Sequence, residues 1–506
     1  MAVQQILMQL KLSAMGLRLL CMVLAAVTGL CGCVQSTAPA ADAAVPMPTG
    51  PLRADGRWLR DQQGRVVILH GLQLAHKTAP YYPPPASFTE DDVRLIREAG
   101  FNAVRLAWFW KGLEPQRGQY DDAYLAQYLR QAGLIAGQGL FVMPEFHQDL
   151  YNEQTLGAGF PDWATFTDGV PSLPDTGALN LYNPATARAF DNLYANRDGI
   201  QDAFADAWRQ IVVALRPYRA QLVGYDLFNE PAAGTQNLLC SQPAGCPQFD
   251  LLSLQPLQDK LAAAVRAEDP QSIVWYEPHI FFDFSVASYL QAPPAETGPV
   301  GFAFHDYCLT AIVTGKPDHE SQAPGYVLCP ALDDLVFSNA EATAARIGAP
   351  PLFNEFGDTQ DLTDIRRMIA LADSRRMGWM YWAYKNWVDV PGGAGDGSLF
   401  GNDDDNSTLR AAKLDVLSEP YPVAVAGTPD HYGFDPGSAQ FELSFTPDHS
   451  IQAATVVFAA PRHYPHGYRV QITGGRVLSP AGSPYLTVVA DPSATTVKLS
   501  LSPPVD

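Results

Sequence analysis

A rhythm in the sequence constrains the fold more than any other feature. Eight short runs of apolar and β-branched residues recur, at 65–74, 101–108, 139–146, 222–230, 272–278, 300–307, 351–357 and 378–386. Amphipathic stretches with helical spacing separate them, at 89–99, 121–137, 186–216, 254–267, 331–347 and 360–376. Thr89 is an N-cap with Asp92 three residues on, and Gly100 is a C-terminal stop. Nearly continuous apolar runs suit parallel strands covered on both faces. The units predict an α/β fold, a (β/α)8 TIM barrel with enlarged loops. A doubly wound open sheet is the competing architecture, but no glycine-rich fingerprint follows the first run. Polar residues also stand at nearly every strand's C-terminal end: His76 and Lys77, Arg105, His147 with Asp149, Asn229 with Glu230, Glu277 and His279, His305 with Tyr307, Glu355, and Trp382 with Lys385. In a barrel they converge on one face.

Past Leu417 the pattern becomes short strands and turns, at 441–445, 454–458, 468–473, 486–490 and 496–501, which predicts a C-terminal antiparallel β-sandwich domain. A carbohydrate-binding module is one reading of it. All nine tryptophans lie between Trp58 and Trp387, however, so the domain lacks an indole platform and a structural role is favoured.

The N-terminus reads as a targeting segment. Lys11 and Arg18 precede an apolar stretch, 19–30, too short to span a bilayer, and it ends in Leu30-Cys31-Gly32-Cys33, which resembles a bacterial lipobox. Cys33 would then carry the lipid and anchor the chain to a membrane; the alternative is an ordinary signal peptide cleaved within 36–44. The expected organisation is a signal peptide at 1–32, an Ala/Pro/Thr/Ser-rich tether at 33–50, a catalytic barrel at 51–418 and the sandwich at 419–506. Export gives meaning to Cys240, Cys246, Cys308 and Cys329, an even set that suggests disulfides. Three connectivities are open, of which Cys240 with Cys246 and Cys308 with Cys329 is the simplest. The absence of a C-x-x-C pair argues against zinc. With 33 Lys and Arg against 53 Asp and Glu, the formal net charge is −20, and without a basic cluster this argues against nucleic acid as a partner.

Retaining hydrolysis of a glycosidic bond needs two carboxyl groups about 5 Å apart, one protonated and one ionised. Glu230 and Glu355 each close an apolar run behind an Asn, in Asn229-Glu230-Pro231 and Asn354-Glu355-Phe356, and they fall on the fourth and seventh strands. A single Asn-Glu pair is a chance event; two such strand ends in one barrel are not easily one.

These motifs resemble the acid/base and nucleophile motifs of glycoside hydrolase family 5. Arg105 in Val-Arg-Leu, His147 in Phe-His-Gln-Asp, His305 and Tyr307 in His-Asp-Tyr, and Trp382 fit the same pattern. More narrowly, 76–81, 112–115, 147–151 and 420–429 resemble the endoglycoceramidase group. The resemblance implies Glu230 as general acid and base and Glu355 as nucleophile. Arg105 and Tyr307 would hold Glu355 ionised and oriented, and Asn229 would bond the sugar 2-hydroxyl. Trp382 would stack under the sugar ring, with Lys77, His147 and Asp149 on its outer hydroxyls. His305 belongs to the same substrate-binding set. Met143-Pro144-Glu145-Phe146 departs from the family's more aliphatic third strand.

No metal or redox cofactor is called for. The run 403–405 lacks the alternating spacing of a calcium loop and reads as solvated. The expected activity is hydrolysis of the β-glycosidic bond between sugar and ceramide in glycosphingolipids. A β-glucosidase, glucosylceramidase or endo-β-glucanase of the same family is the alternative, and a non-catalytic glycan-binding lipoprotein has no need of both carboxylates. A two-chain lipid needs an apolar surface beside the cleft, and 81–85, 160–166 and 280–284 have the composition for one.

Overall fold

The computed structural model describes residues 47–294, 297–307, 321, 325–390 and 397–504. Cys33, the 1–32 segment and Cys308 lie outside the described residues. Eight parallel strands close into a barrel: β4 (His70–Leu74), β5 (Ala103–Trp108), β6 (Phe141–Phe146), β7 (Tyr225–Asp226), β8 (Val274–Tyr276), β9 (Val300–His305), β10 (Pro351–Glu355) and β11 (Trp379–Lys385). Each lies inside one of the eight apolar runs. The barrel is complete because β11 pairs with β4, Tyr381 opposite Leu72.

Helices follow the expected spacing. Glu90–Glu98 begins where the Thr89 backbone N–H donates to Asp92 Oδ2 at 2.7 Å, and the chain leaves it through Gly100 at φ +92°. The stretch 186–216 is two helices rather than one, Pro184–Tyr194 and Ile200–Leu215. Asn196, Asp198 and Gly199 between them all take positive φ, a conformation these residue types tolerate and a continuous helix does not.

The barrel floor is filled by Val67, Leu69, Met143, Trp275, Leu352 and Met380 and closed from below by Leu52 and Leu59. Trp275 fits because residue 301 is glycine, where a Cβ would stand 2.2 Å from the indole.

The second body is a sandwich of two antiparallel sheets. The smaller runs β13 (Gly427–Asp435), β14 (Gln440–Pro447), β19 (Val497–Ser502), β16 (Arg469–Thr473). The larger joins β12 (Tyr421–Val425), β15 (Thr455–Phe458), β18 (Tyr485–Ala490) and β17 (Gly475–Val477) to three N-terminal strands, β1 (Arg53–Asp55), β2 (Trp58–Arg60) and β3 (Val66–Val67). The segment expected as barrel from residue 51 therefore starts in the other body, and the run 65–74 divides between them. Ala424 of β12 pairs with Val67, and buried Arg65 donates to Asp61 and to the Ala454 carbonyl, which fixes the N-terminal strands to the sandwich. His70 stacks between Trp379 of the barrel and Tyr421 of the sandwich, with ring centroids 4.2 and 3.7 Å away, so the two bodies share one apolar seam.

Candidate active site

The C-terminal face is organised around Arg105, fully buried on β5. A guanidinium has five N–H donors, and here each finds an acceptor. Nε donates to Asp226 (2.8 Å), Nη1 to Gln73 (3.2 Å) and Glu355 (2.6 Å), and Nη2 to Asn229 (2.9 Å) and Glu277 (3.0 Å). Four strands, β4, β7, β8 and β10, are thereby tied to β5 through one cation. The other Glu355 oxygen accepts from Tyr307 Oη at 2.9 Å.

Glu230 stands across from it on a non-glycine residue at φ +44°, a strained turn that side chains pin from both sides. Its N–H donates to Glu277 Oε2 at 2.9 Å, and Gln148 Nε2 donates to the carbonyls of Asn229 and Glu230 at 2.8 and 2.9 Å. His305 Nδ1 lies 2.9 Å from Glu230 Oε1 and 3.8 Å from Glu355 Oε1. Two oxygens that flank one nitrogen so closely are at most about 7 Å apart, which accommodates the retaining geometry of about 5–5.5 Å.

The surroundings of Glu230 act on its proton. Burial raises the Glu230 pKa above the ordinary carboxylate range; the His305 bond opposes this, and the charges of Glu355 and Asp149 add to it. Burial alone would keep the His305 ring neutral, but Glu355 and Glu277 carry its pKa well above that of free imidazole. Against its own burial, Glu277 is held down to about 2 by His305 and Arg105. Asp283 completes the cluster: burial pushes its pKa well up, and its Oδ2 has no hydrogen-bond partner among the described residues. Donor atoms of Glu230, Asp283 and His305 lie within 4.8 Å of one another.

A second group adjoins the first. Lys77 Nζ lies 3.1 Å from Asp149 and 2.7 Å from Asp389, and 4.3 Å from the centre of the Trp382 ring. His147 stacks on Trp382 with centroids 5.3 Å apart and bridges Glu145 (2.7 Å) and Asp149 (3.2 Å). Although burial opposes it, these two carboxylates raise the His147 pKa to about 10, so the ring is charged. Glu145, the departure on the third strand, is what links the groups: it also accepts from Gln73 at 3.0 Å and lies 3.5 Å from Arg105.

Glu230, Glu355, Arg105, Asn229, His305 and Tyr307 thus form one hydrogen-bonded cluster, and Lys77, His147, Asp149 and Trp382 its neighbour. Sequence reasoning missed the network roles of Glu145, Asp226, Glu277, Asp283 and Asp389. Glu277 ends the fifth apolar run, and that position was the available signal. Other strand-end residues face elsewhere. Lys385 is buried against Asp92 at 2.7 Å, tying β11 to a helix N-terminus, and His279 is buried beside Phe249. Asp403, expected to be solvated, is buried and accepts from the N–H groups of Asn386 and Trp387. Of the expected apolar rim, 81–85 is partly open, with Tyr81 and Tyr82 half-buried and Pro84 and Pro85 exposed, but the other two segments are largely closed. Phe160, Phe281 and Phe282 are core residues, and Trp163 packs edge-on against Trp110 with its Nε1 bonded to the Glu114 carbonyl, because large rings fill the gaps between barrel helices. Cys240 is bonded to Cys246 in the segment that follows Glu230 in the chain. Cys329 is also disulfide-bonded.

A parallel barrel with paired carboxylates at the ends of its fourth and seventh strands defines a barrel glycoside hydrolase. The chain belongs to glycosyl hydrolase family 5. The model "Cellulase (glycosyl hydrolase family 5)" matches residues 61–387, and "Glycoside hydrolase family 5 C-terminal domain" matches 420–501. Endoglycoceramidase I of Rhodococcus hoagii is 35% identical over 90% of this chain and 89% of its own length. Among solved structures, endo-glycoceramidase II from Rhodococcus sp. superposes with a TM-score of 0.75 as its ganglioside GM3 complex, at 27% identity over 89% of this chain and all of that one. Its lactosyl-enzyme intermediate gives 0.73 at 28% identity, over 88% of this chain and all of that one.

Proposed function

We propose that the protein cleaves the β-glycosidic bond between the sugar and the ceramide of glycosphingolipids, with retention, by double displacement. The observation that carries the reading is the pair Glu230 and Glu355 on either side of His305 Nδ1, with the Glu230 carboxyl raised by burial and Glu355 held by hydrogen bonds from Arg105 and Tyr307. The relatives support the substrate class, since endoglycoceramidase I of Rhodococcus hoagii matches 90% of this chain and endo-glycoceramidase II from Rhodococcus sp. is solved both with ganglioside GM3 and as a lactosyl-enzyme intermediate.

In the first step Glu355 attacks the anomeric carbon while Glu230 gives its proton to the departing ceramide oxygen. Water then enters, Glu230 takes its proton, and the sugar leaves Glu355. Arg105 and Tyr307 aim Glu355 by donating one charge-assisted hydrogen bond to each of its oxygens. Asn229 is assigned the 2-hydroxyl, whose bond strengthens in the transition state. Trp382 provides the stacking surface, and Lys77, His147 and Asp149 bind outer hydroxyls. The chain is exported and held at a membrane by a lipid on Cys33, a proposal that labelling with a radioactive fatty acid, lost in Cys33→Ser, checks.

Mass spectrometry of products from gangliosides, glucosylceramide and soluble β-glucan tests the function. Intact oligosaccharide plus free ceramide supports it. Cleavage of β-glucan or glucosylceramide without release of ganglioside oligosaccharide moves the assignment to another activity of the family.

A further inference from the structure

We propose that Asp306 is a positioning residue for the nucleophile: it carries a proton, clasps Asp333 on the helix outside the barrel wall, and so fixes the strand end from which His305 and Tyr307 reach the two catalytic carboxyls. The proposal rests on the double-displacement reading above and deepens it, by naming what holds Glu355 and its partners from behind.

Strand alternation separates Asp306 from its chain neighbours. His305 and Tyr307 turn into the site, where they bond Glu230 and Glu355, each at 2.9 Å. Asp306, like Phe304 two residues earlier, turns out towards the helices. Phe304 meets Phe337 of the helix Cys329–Ile347 edge-on, with ring centroids 5.2 Å apart, and Asp333 lies one turn before Phe337 on the same helix face. The two aspartates therefore meet, both buried, and bond one another.

Their surroundings supply no donor for that bond. Arg367 of the helix Leu362–Ser374 is the cation that faces the pair, and its contacts go elsewhere: Nη1 donates to Asp333 Oδ2, Nη2 to Asp364 Oδ1 at 2.5 Å and Nε to Tyr326 Oη at 3.0 Å. Tyr326 Oη donates in turn to Asp364 at 2.8 Å. Among the described residues nothing donates to either oxygen of Asp306 or to Asp333 Oδ1. Two ionised carboxylates offer only acceptors, so their contact requires a proton. Burial, and then the charge of Asp333, raises the Asp306 carboxyl well above the ordinary carboxylate range; Asp283 and Asp364 add to this and Arg367 opposes it. Burial raises Asp333 too, but Arg367 and the bond from Asp306 restrain it to about 6. The proton therefore resides on Asp306, which donates it to Asp333.

What this clasp holds is the reaction centre. The Asp306 N–H donates to the carbonyl of Glu355 itself at 3.3 Å, and the Tyr307 N–H to the carbonyl of Asp283 at 3.4 Å. A displaced Asp306 thus shifts the backbone of the nucleophile and both side chains that bond the catalytic carboxyls. Lys77 and Trp382 stand on other strands, so displacement lowers kcat more than it raises KM.

The test uses the full chain and a soluble aryl β-lactoside. Asp306→Asn keeps the shape and puts a permanent N–H in place of the proton; its kcat is expected within about threefold of the parent's. Asp306→Ala should lower kcat about tenfold or more with little change in KM, since a small misplacement of reacting groups suffices. Infrared difference spectra, parent minus Asp306→Asn at pH 7, should show the carbonyl stretch of a protonated carboxyl and no carboxylate band. A carboxylate band in its place, an Asp306→Asn chain that does not fold or is as slow as Asp306→Ala, or a folded Asp306→Ala with the parent's kcat overturns the proposal. If Asp306→Ala does not fold, the infrared band and the kcat of Asp306→Asn decide. A parent that shows the protonated band yet releases sugar with inversion refutes the double-displacement reading instead, so the two failures are distinguishable.

Discussion

His305 donates from Nδ1 to Glu230 Oε1 at 2.9 Å, and the same nitrogen lies within 4 Å of Glu355, so one imidazole stands between the two carboxyls that divide the reaction. This bond lowers the Glu230 pKa against a burial that raises it. Removing it should move the alkaline limb of kcat/KM, which reports loss of the Glu230 proton in the free enzyme, to higher pH. His305→Gln is expected to show that upward shift together with a fall in kcat of up to about 100-fold from the displaced acid. A limb that stays in place would assign the ionisation to another group.

Glu230→Ala should lose about 10²–10⁴-fold on glycolipid, whose alkoxide leaving group needs a proton, and far less on a 2,4-dinitrophenyl glycoside, whose leaving group does not. Azide should restore turnover of the activated substrate as a glycosyl azide, because the small anion occupies the space left by the carboxyl. Equal losses on both substrates would count against the acid role.

The seam between barrel and sandwich carries a pH liability. Asp373, buried 3.6 Å from His70, is pushed up to about 8 by burial, and Glu419 to about 8 by burial and by Asp373. Where a folded carboxyl has the higher pKa, the native state binds more protons than the unfolded one, so stability falls as pH rises from the unfolded value near 4 towards 8. Each such group contributes a slope of up to about 1.4 kcal/mol per pH unit. Asp373→Asn should flatten the decline of denaturation midpoint between pH 5 and 8; an unchanged pH dependence would show that Asp373 does not titrate this way.

Replacing Cys240 and Cys246 together by Ser should reduce stability by about 2 kcal/mol, the loop-entropy value for so short a ring, and leave turnover of a soluble glycoside nearly unchanged. Urea titration measures the first and initial rates the second. A large loss of activity on the soluble substrate would mean that the bridge positions Glu230 rather than only stiffening the segment behind it.

Much of this fold is legible in the sequence because a parallel barrel demands the same thing of every strand. The apolar runs ending in Glu230 and Glu355 carry both periodicity and chemistry, and strand alternation sends their terminal side chains to one rim. Other parts are not legible because they depend on partners remote in the chain. Val66 and Val67 read as the start of the first barrel strand, yet they pair with Val425 and Ala424 more than 350 residues later. Lys385 looks like a site residue by position, but Asp92 and the Ser87 carbonyl draw it into the wall. Phe282 has the composition of a lipid surface and is buried between Phe302 and Phe304, whereas Leu238 and Leu252, unremarkable in sequence, face solvent. Glu277 shows the limit most clearly: only the assembled barrel brings its two oxygens to Arg105 and to the Glu230 backbone at once.

Glu355 forms a covalent bond to sugar while Glu230 handles the proton. Trapping the enzyme with a 2-deoxy-2-fluoro-β-lactosyl donor bearing a good leaving group, then sequencing the labelled peptide by mass spectrometry, checks this division of roles. A single fluorolactosyl adduct on Glu355 is expected, absent from Glu355→Ser, with ceramide substrates giving the β-anomer as first product. An adduct on Glu230, or no adduct together with an α-anomeric first product, would contradict it.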